Sequence, residues 1–346
     1  MSTNPPLNEL LRVQFPILLA AMDLVADAKL TLAVSKAGGF GILGAGYGDA
    51  NWLRRELAFL QEAQGSRSVP FGIGFITWRL AGQPQLLEQA LAIRPDAVWL
   101  SFGDPASFVE RIKAAGALLI CQVQTEAMAK DAVMKGADII VAQGAEAGGH
   151  GASRGAFSLV PAVVDAVGHK VPVVLAGGVA DGRGLAAALM LGAQGVALGT
   201  RFYACQESAG HEKAKARIVA ASGDDTLRSI IFDISRHNVW PAPYAGRCLA
   251  NDHSRKWAGR EIELMRHLHE EADRYRAARD RGDFNVAAVI AGEVVSLVRD
   301  IPTAAEIVQR IVRECNELLA DSSTDTVLQP CDFNKAALPH IRAAGN

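Results

Sequence analysis

Apolar runs alternate with amphipathic helical stretches between residues 16 and 198 of the chain. The runs predict eight strands, at 16–22, 40–45, 70–75, 97–101, 117–123, 138–141, 171–176 and 195–198. Helical spacing follows the first seven, at 30–37, 50–62, 83–93, 105–114, 125–135, 158–167 and 182–191. Repeated strand–helix units indicate a parallel sheet covered by helices. Eight units predict an α/β fold of the (β/α)8 or TIM barrel type.

An open dinucleotide-binding sheet is disfavoured, because no GxGxxG motif with a downstream acidic residue follows the first predicted strand. After the eighth strand the pattern changes to charged helices without strands. The segment 261–281, with charges of alternating sign, predicts one solvated or domain-covering helix rather than a nucleic-acid-binding arm. Helical spacing at 303–319 predicts the eighth barrel helix. We therefore expect a barrel formed by 1–203 and 289–320, a helical insertion at 204–288 that covers the substrate pocket, and a C-terminal tail at 321–346.

Composition narrows the class of protein. The 346 residues are 50% hydrophobic and 21% charged, which is typical of a globular protein with a sizeable core, and the net charge of −2 favours neither nucleic acid nor an anionic membrane. The five cysteines are scattered without CxxC spacing, so neither a zinc site nor a disulfide framework is expected. The N-terminal residues lack the pattern of a signal peptide, and no long uncharged apolar window occurs. These features predict a cytoplasmic protein without a metal.

The most informative stretch, 142–152, reads AQGAEAGGHGA and follows the sixth predicted strand. It therefore lies at the carboxyl end of a strand, where α/β barrels place their chemistry. Gly148 and Gly149 lack side chains, so the backbone can turn sharply and approach a flat or anionic ligand, with His150 beside it. The alternative is a simple turn with a solvated histidine.

Small residues also follow the seventh and eighth predicted strands. Gly177 and Gly178 end one, and Gly199 and Thr200 end the next. Many barrel enzymes bind phosphate at these two strand ends, where backbone N–H groups can face an anion and a hydroxyl adds a donor. The pair of glycine-rich ends predicts a phosphate site.

The segments AQGAEAGGH, LVP, VPVVLAGGV and GAQGVALGTRF, in this order, resemble the nitronate monooxygenases, formerly called 2-nitropropane dioxygenases. The likeness covers 16–204 and resumes at 291–292 and 300–302. It implies an FMN-dependent barrel enzyme that oxidises alkyl nitronates, or neutral nitroalkanes, with O2 to a carbonyl compound and nitrite. In that mechanism the flavin accepts the electrons and passes them to oxygen.

The resemblance also implies roles for individual residues. His150 matches the histidine regarded as catalytic in the family. The implied cofactor-binding positions are Ala21, Met22 and Asp23 in the first-strand loop, Gln122 facing the flavin, Ala145, Gly148 and Gly149 beside it, and Gly177, Gly178, Gly199 and Thr200 at the FMN phosphate.

Two positions depart from the family pattern. The first loop reads Ala-Ala-Met at 20–22, where many members have proline before the methionine, so the loop lacks that rigidity. Gln122 stands where some relatives hold lysine, and a neutral amide would stabilise reduced, anionic flavin less.

Alternatives remain open at this point. Nearly the same glycines serve flavin-dependent enoyl-acyl-carrier-protein reductases and NAD(P)H:quinone reductases, so the chain could instead reduce enoyl thioesters or quinones. A second alternative is a non-catalytic phosphate-binding barrel, and a homo-oligomer is left open. Trp240 either walls the substrate pocket or packs in the core or an interface. Five further histidines are expected at the surface or along the pocket without a metal: His211, His237, His253, His267 and His269.

Overall fold

The structure, a computed structural model, describes residues 5–64 and 69–322. Eight parallel strands form one sheet in the order β1–β9–β8–β6–β5–β4–β3–β2, and a second sheet joins three strands in the order β10–β11–β7. The strands are β1 (Ile17–Leu19), β2 (Gly41–Gly44), β3 (Phe71–Ile76), β4 (Ala97–Ser101), β5 (Leu118–Val123), β6 (Ile139–Gln143), β7 (Gly149–Gly151), β8 (Val173–Ala176), β9 (Gly195–Leu198), β10 (Thr226–Ser229) and β11 (Ala245–Leu249).

The large sheet closes on itself between its first two strands. A parallel bridge joins Leu18 to Phe40, just before β2. The N–H of Leu19 donates to the Phe40 carbonyl at 2.9 Å, and the N–H of Phe40 donates to the Ile17 carbonyl at 2.9 Å. All eight predicted strands are thus confirmed, and together they form the predicted barrel.

Helices fill the connections between the strands. They are α1 (Leu7–Leu11), α2 (Ala28–Lys36), α3 (Ala50–Gln64), α4 (Thr77–Leu80), α5 (Gln85–Ala92), α6 (Ala106–Ala114), α7 (Glu126–Met134), α8 (Ala156–Val167), α9 (Gly182–Met190), α10 (Thr200–Tyr203), α11 (Glu212–Ala220), α12 (Ile231–Ser235), α13 (Asp252–Trp257), α14 (Glu261–Arg266), α15 (Leu268–Asp280) and α16 (Ala304–Ser322). Two short 3₁₀ helices lie at Gly223–Asp225 and Glu293–Leu297. Polar side chains cap helices as expected, and Thr125 accepts from the N–H of Met128 at 3.1 Å.

The strands are apolar throughout because both of their faces are buried. In β4, Val98 and Leu100 face the helices, whereas Ala97 and Trp99 face the barrel interior. Leu7 of α1 packs with the interior cluster. A continuous apolar run is therefore the expected sequence of a strand covered on both sides.

The connection between β9 and α16, residues 199–303, differs from its prediction in two respects. It contains two strands, β10 and β11, which pair with each other and with β7. The single helix expected at 261–281 is wrong, because the chain forms α14 and α15 with His267 between them. The division into 1–203, 204–288, 289–320 and 321–346 stays a prediction. Helix α16 reaches Ser322, so the expected tail begins within a helix, and the rest of the tail lies outside the described residues.

Candidate active site

A cavity of about 650 Å³ opens at the carboxyl ends of the barrel strands. The carboxyl ends of all eight barrel strands, or the loops after them, line it, and the β9–α16 connection supplies the remaining wall. We call this space the central cavity. Eleven of the twelve predicted site residues line it: Ala21, Met22, Asp23, Gln122, Gly148, Gly149, His150, Gly177, Gly178, Gly199 and Thr200.

Ala145 is the predicted site residue that is absent from the cavity lining. Its carbonyl oxygen instead accepts from the Arg228 guanidinium at 2.8 Å and from Nε of Arg247 at 3.0 Å. Arg228 also donates to the carbonyl oxygens of Gly149 at 3.3 Å and Ala147 at 3.1 Å. Through these hydrogen bonds, the carbonyl of Ala145 helps to hold the loop that carries His150 in place.

Gly148 and Gly149 of that loop are required to be glycine for different reasons, a close backbone contact and a positive φ angle. A Cβ on Gly148 would lie 2.6 Å from the carbonyl carbon of Ala291, so the position is closed to larger residues by backbone packing. Gly149 has φ +74°, a left-handed conformation that favours glycine. The close approach of 291–292 thus fixes the loop from the side of the β9–α16 connection.

His150 is buried at 8% relative exposure in β7, opposite Gly246 of β11. Its Nε2 lies 2.9 Å from Oδ2 of Asp233, and the Trp240 ring stacks on its face with a centroid distance of 3.5 Å and an interplanar angle of 8°. Burial lowers the pKa of the imidazole, and the contact with Asp233 opposes that shift. Because the net shift is downward, His150 is neutral near pH 7.

Three glutamines form a hydrogen-bonded cluster beside His150, with Gln143 at its centre. Nε2 of Gln143 donates to the His150 carbonyl oxygen at 3.0 Å, so Oε1 of Gln143 must be the acceptor for its neighbours. Nε2 of Gln122 donates to that oxygen at 3.0 Å, and Nε2 of Gln124 does so at 2.8 Å. The hydrogen bond to Gln143 thereby orients the amide of Gln122, which lines the cavity.

The predicted phosphate positions come together at one side of the central cavity. Gly177 and Gly178 have φ +98° and +76°, left-handed conformations that favour glycine, and both residues line the cavity. Oγ1 of Thr200 accepts from the N–H of Gly292 at 2.9 Å, so its own proton can still be donated. This arrangement suits an anion held by backbone amides and one hydroxyl.

Trp240 lines the cavity and is the centre of a cluster of aromatic rings. Its ring contacts Trp78, Phe102 and Tyr47 at centroid distances of 5.4, 5.0 and 6.0 Å, each edge to face. Its indole N–H donates to the Tyr47 hydroxyl at 2.9 Å. Of the two roles expected for Trp240, the structure supports the cavity wall.

Sequence reasoning missed three charged or polar groups of the site. Asp233 touches His150, Arg236 lines the cavity and binds Asp233, and Tyr47 lies against Trp240. Of the five further histidines, His211 and His237 line the cavity, whereas His253 is fully buried and bonded to Ser235 at 2.8 Å. Asp233 stands 83 residues from His150, and no motif connects them.

The sequence profile of the nitronate monooxygenase family matches residues 4–84 and 77–314. The chain belongs to this family. It is 35% identical over 333 residues to the nitronate monooxygenase npaC of Metarhizium robertsii, covering 88% of this chain and 91% of that relative. The family's members are flavin-dependent oxidoreductases, so the chain is an enzyme of this class and the non-catalytic alternative is wrong.

Solved structures agree with the family assignment. FabK from Thermotoga maritima superposes with a TM-score of 0.80 at 29% identity, covering 93% of this chain and 99% of that one. A nitroalkane oxidase from Streptomyces ansochromogenes superposes with a TM-score of 0.75 at 27% identity, covering 91% and 99%.

In residues 5–64 and 69–322, no helix has the length and apolar character needed to cross a membrane. Within the same ranges, no three His, Cys, Asp or Glu side chains gather as metal ligands would.

Proposed function

We propose that the protein is an FMN-dependent enzyme that oxidises alkyl nitronates, and neutral nitroalkanes, with O2 to a carbonyl compound and nitrite. The observation that carries the proposal is the location of His150 in the same cavity as two glycine-rich strand ends. The family assignment supports oxidation of nitronates as the reaction class.

The residues of the central cavity fit FMN. Gly177 and Gly178, with positive φ angles, bring their backbone to the cavity wall, and the Thr200 hydroxyl retains a proton to donate. We expect these groups to hold the phosphate, while Gln122 and the first-strand loop at 21–23 contact the ring system. The cavity volume lies within the usual range for small-molecule and cofactor sites. When bound, FMN supplies the electron transfer between substrate and oxygen.

His150 is a group in the cavity that is suited to proton transfer. As a neutral imidazole it can take the α-proton of a nitroalkane. The carbon–hydrogen bond breaks, its electrons form the C=N bond, and the negative charge moves to the nitro oxygens. A nitronate is already ionised, so for that substrate His150 is needed only to orient the ligand. Arg236 lines the same cavity and adds a positive charge near the developing anion.

An NAD(P)H-dependent reductase is the second candidate. It is favoured by the breadth of the cavity wall formed by the β9–α16 connection, which includes His211, Tyr275 and Arg279 and offers room for a second ligand. The shared barrel and glycine positions are compatible with both reactions, so the reductant has to be identified by experiment.

Anaerobic mixing of the purified holoenzyme with each electron donor decides between the two. We expect denaturation to release FMN, and ethyl nitronate to bleach the bound flavin within the time of one turnover. NADH and NADPH should leave it oxidised. Rapid bleaching by NADH or NADPH, with none by the nitronate, would establish the reductase instead. Absence of flavin, even after incubation with FMN, would overturn both candidates.

A further inference from the structure

The side chain of Asp233 is shared between two partners at the edge of the central cavity. Oδ2 lies 2.9 Å from Nε2 of His150, and Oδ1 accepts from the Arg236 guanidinium at 2.6 Å. Asp233 has 4% relative exposure, and it comes from α12, whereas His150 comes from β7. Two distant segments thus meet at this carboxyl group.

The charge states of the three groups determine where the protons are. A guanidinium is always protonated and only donates, so Oδ1 of Asp233 is the acceptor in its contact with Arg236. A carboxylate only accepts hydrogen bonds, and Nε2 must therefore carry the hydrogen in the contact with Oδ2. In a neutral imidazole the other nitrogen, Nδ1, is then unprotonated.

The rest of the ring is held by contacts that leave Nδ1 free. Trp240 covers one face, and Gln143 binds the backbone carbonyl of His150 rather than the ring. Within the described part of the chain, Nδ1 has no hydrogen-bond partner, and His150 lines the cavity. Nδ1 is accordingly the nitrogen available to a ligand.

We propose that Asp233 is a positioning residue that holds His150 as the Nε2–H tautomer and presents the Nδ1 lone pair to the substrate. The role of Nδ1 as base rests on the proposed function, whereas the tautomer does not. In the proton transfer, the α-proton moves to Nδ1, the electrons of the carbon–hydrogen bond become the C=N bond, and Nε2–H remains bound to Asp233.

The charged groups around His150 have opposite effects on the stability of the imidazolium that forms when His150 takes up a proton. Asp233 stabilises it, while Arg236 and Arg228, whose guanidinium lies 3.3 Å from the Gly149 carbonyl, oppose it. Asp233 is the only anion among these neighbours in the described residues. Removing its charge should therefore weaken the base as well as release the ring.

The tautomer can be measured on the unmodified protein without substrate. In holoenzyme labelled with ¹⁵N-histidine, long-range proton–nitrogen correlation spectra distinguish protonated from unprotonated ring nitrogens, and the His150 signals are identified by their loss in His150→Asn. We expect a protonated Nε2 and an unprotonated Nδ1 near pH 7. A protonated Nδ1 in the wild-type protein would overturn the proposal, and this result does not depend on any variant at Asp233 folding.

Asp233→Asn tests the link between the carboxylate and the tautomer. The amide can donate to Nε2, so we expect the Nδ1–H form to appear and kcat on a neutral nitroalkane to fall about 10²-fold, with a smaller loss on a preformed nitronate. Asp233→Glu should restore part of the Nε2–H tautomer and part of kcat on the neutral nitroalkane. Ser235→Ala, on the same helix and bonded to His253 rather than His150, is the matched control and should keep the wild-type spectrum.

Outcomes for the proposal and for the proposed function are separable. An unchanged His150 spectrum in Asp233→Asn would overturn the positioning role even if nitronates are turned over normally. Conversely, the Nε2–H tautomer in a protein that does not oxidise nitronates would support the positioning role and overturn the proposed function.

Discussion

Asp23 is a carboxyl group in the wall of the central cavity, and its surroundings make ionisation costly. Burial raises the pKa of Asp23 to about 6, although the N–H of Tyr47 donates to its Oδ1 at 3.2 Å and opposes the shift. A carboxyl with a raised pKa in the folded state binds its proton more tightly there than in the unfolded chain. Its charge therefore reduces stability as the pH rises from about 4 through 6.

Asp23→Asn should remove this cost without changing the size of the side chain. Above pH 7 we expect the variant to be more stable than the wild-type protein by up to about 3 kcal/mol, corresponding to a shift of roughly two pKa units. The difference should shrink as the pH is lowered through 6 toward 4. Urea unfolding at a series of pH values measures it, with the exposed Asp252→Asn as control. A difference that does not vary with pH would contradict the account.

Among the residues of the site, the sequence could identify those whose residue type by itself indicates a role. Gly177 and Gly178 adopt the left-handed conformations for which glycine is suited, and His150 lines the same cavity. Asp233 and Arg236 could not be identified, because their roles depend on a contact across 83 residues and ordinary acidic and basic residues are abundant in the same segment.

The three-stranded sheet of β10, β11 and β7 is the element that holds the His150 loop. Its main brace is Arg228 of β10, whose guanidinium donates to four carbonyl oxygens, on Ala145, Ala147, Gly149 and Ala245. Burial lowers the pKa of Arg228 to about 10, so it remains charged at pH 7. The brace joins the barrel loop to the β9–α16 connection.

Arg228→Met should therefore destabilise the protein, because several partly buried carbonyl groups lose their donor at once. We expect the free energy of unfolding to fall by about 2–4 kcal/mol, together with weaker FMN retention. Urea unfolding and the flavin content after gel filtration measure the two effects. Arg255→Met, which removes an exposed ion pair on α13, should change stability by less than about 1 kcal/mol. Equal stability of the two variants would exclude the bracing role.

Sequence patterns predicted the barrel strands but not this small sheet, for a physical reason. The barrel strands are buried on both faces and read as apolar runs. Strands β10 and β11 are four and five residues long and carry Arg228 and Arg247, whose side chains turn toward loop carbonyls instead of solvent. Neither strand shows the apolar alternation that would identify it. Likewise, no glycine or proline marks the break between α14 and α15 at His267.

At the scale of the whole molecule, the barrel and the β9–α16 connection each supply part of the site. The barrel contributes the glycine-rich strand ends and His150, and the connection contributes Asp233, Arg236 and Trp240. The barrel could be predicted because its repeats are regular. The way the connection folds over the cavity could not, because its contacts are set by side chains far apart in sequence.

His150, in the proposed function, acts as a base beside the bound flavin, and one comparison of rates separates this role from a structural one. It is the ratio of kcat on a neutral nitroalkane to kcat on its preformed nitronate, measured for the wild-type protein and for His150→Asn at equal flavin content. We predict that the variant keeps FMN and that its rate on the neutral nitroalkane falls about 10²- to 10⁴-fold, while the nitronate rate falls much less. An unchanged ratio with full activity on the neutral nitroalkane would contradict the claim.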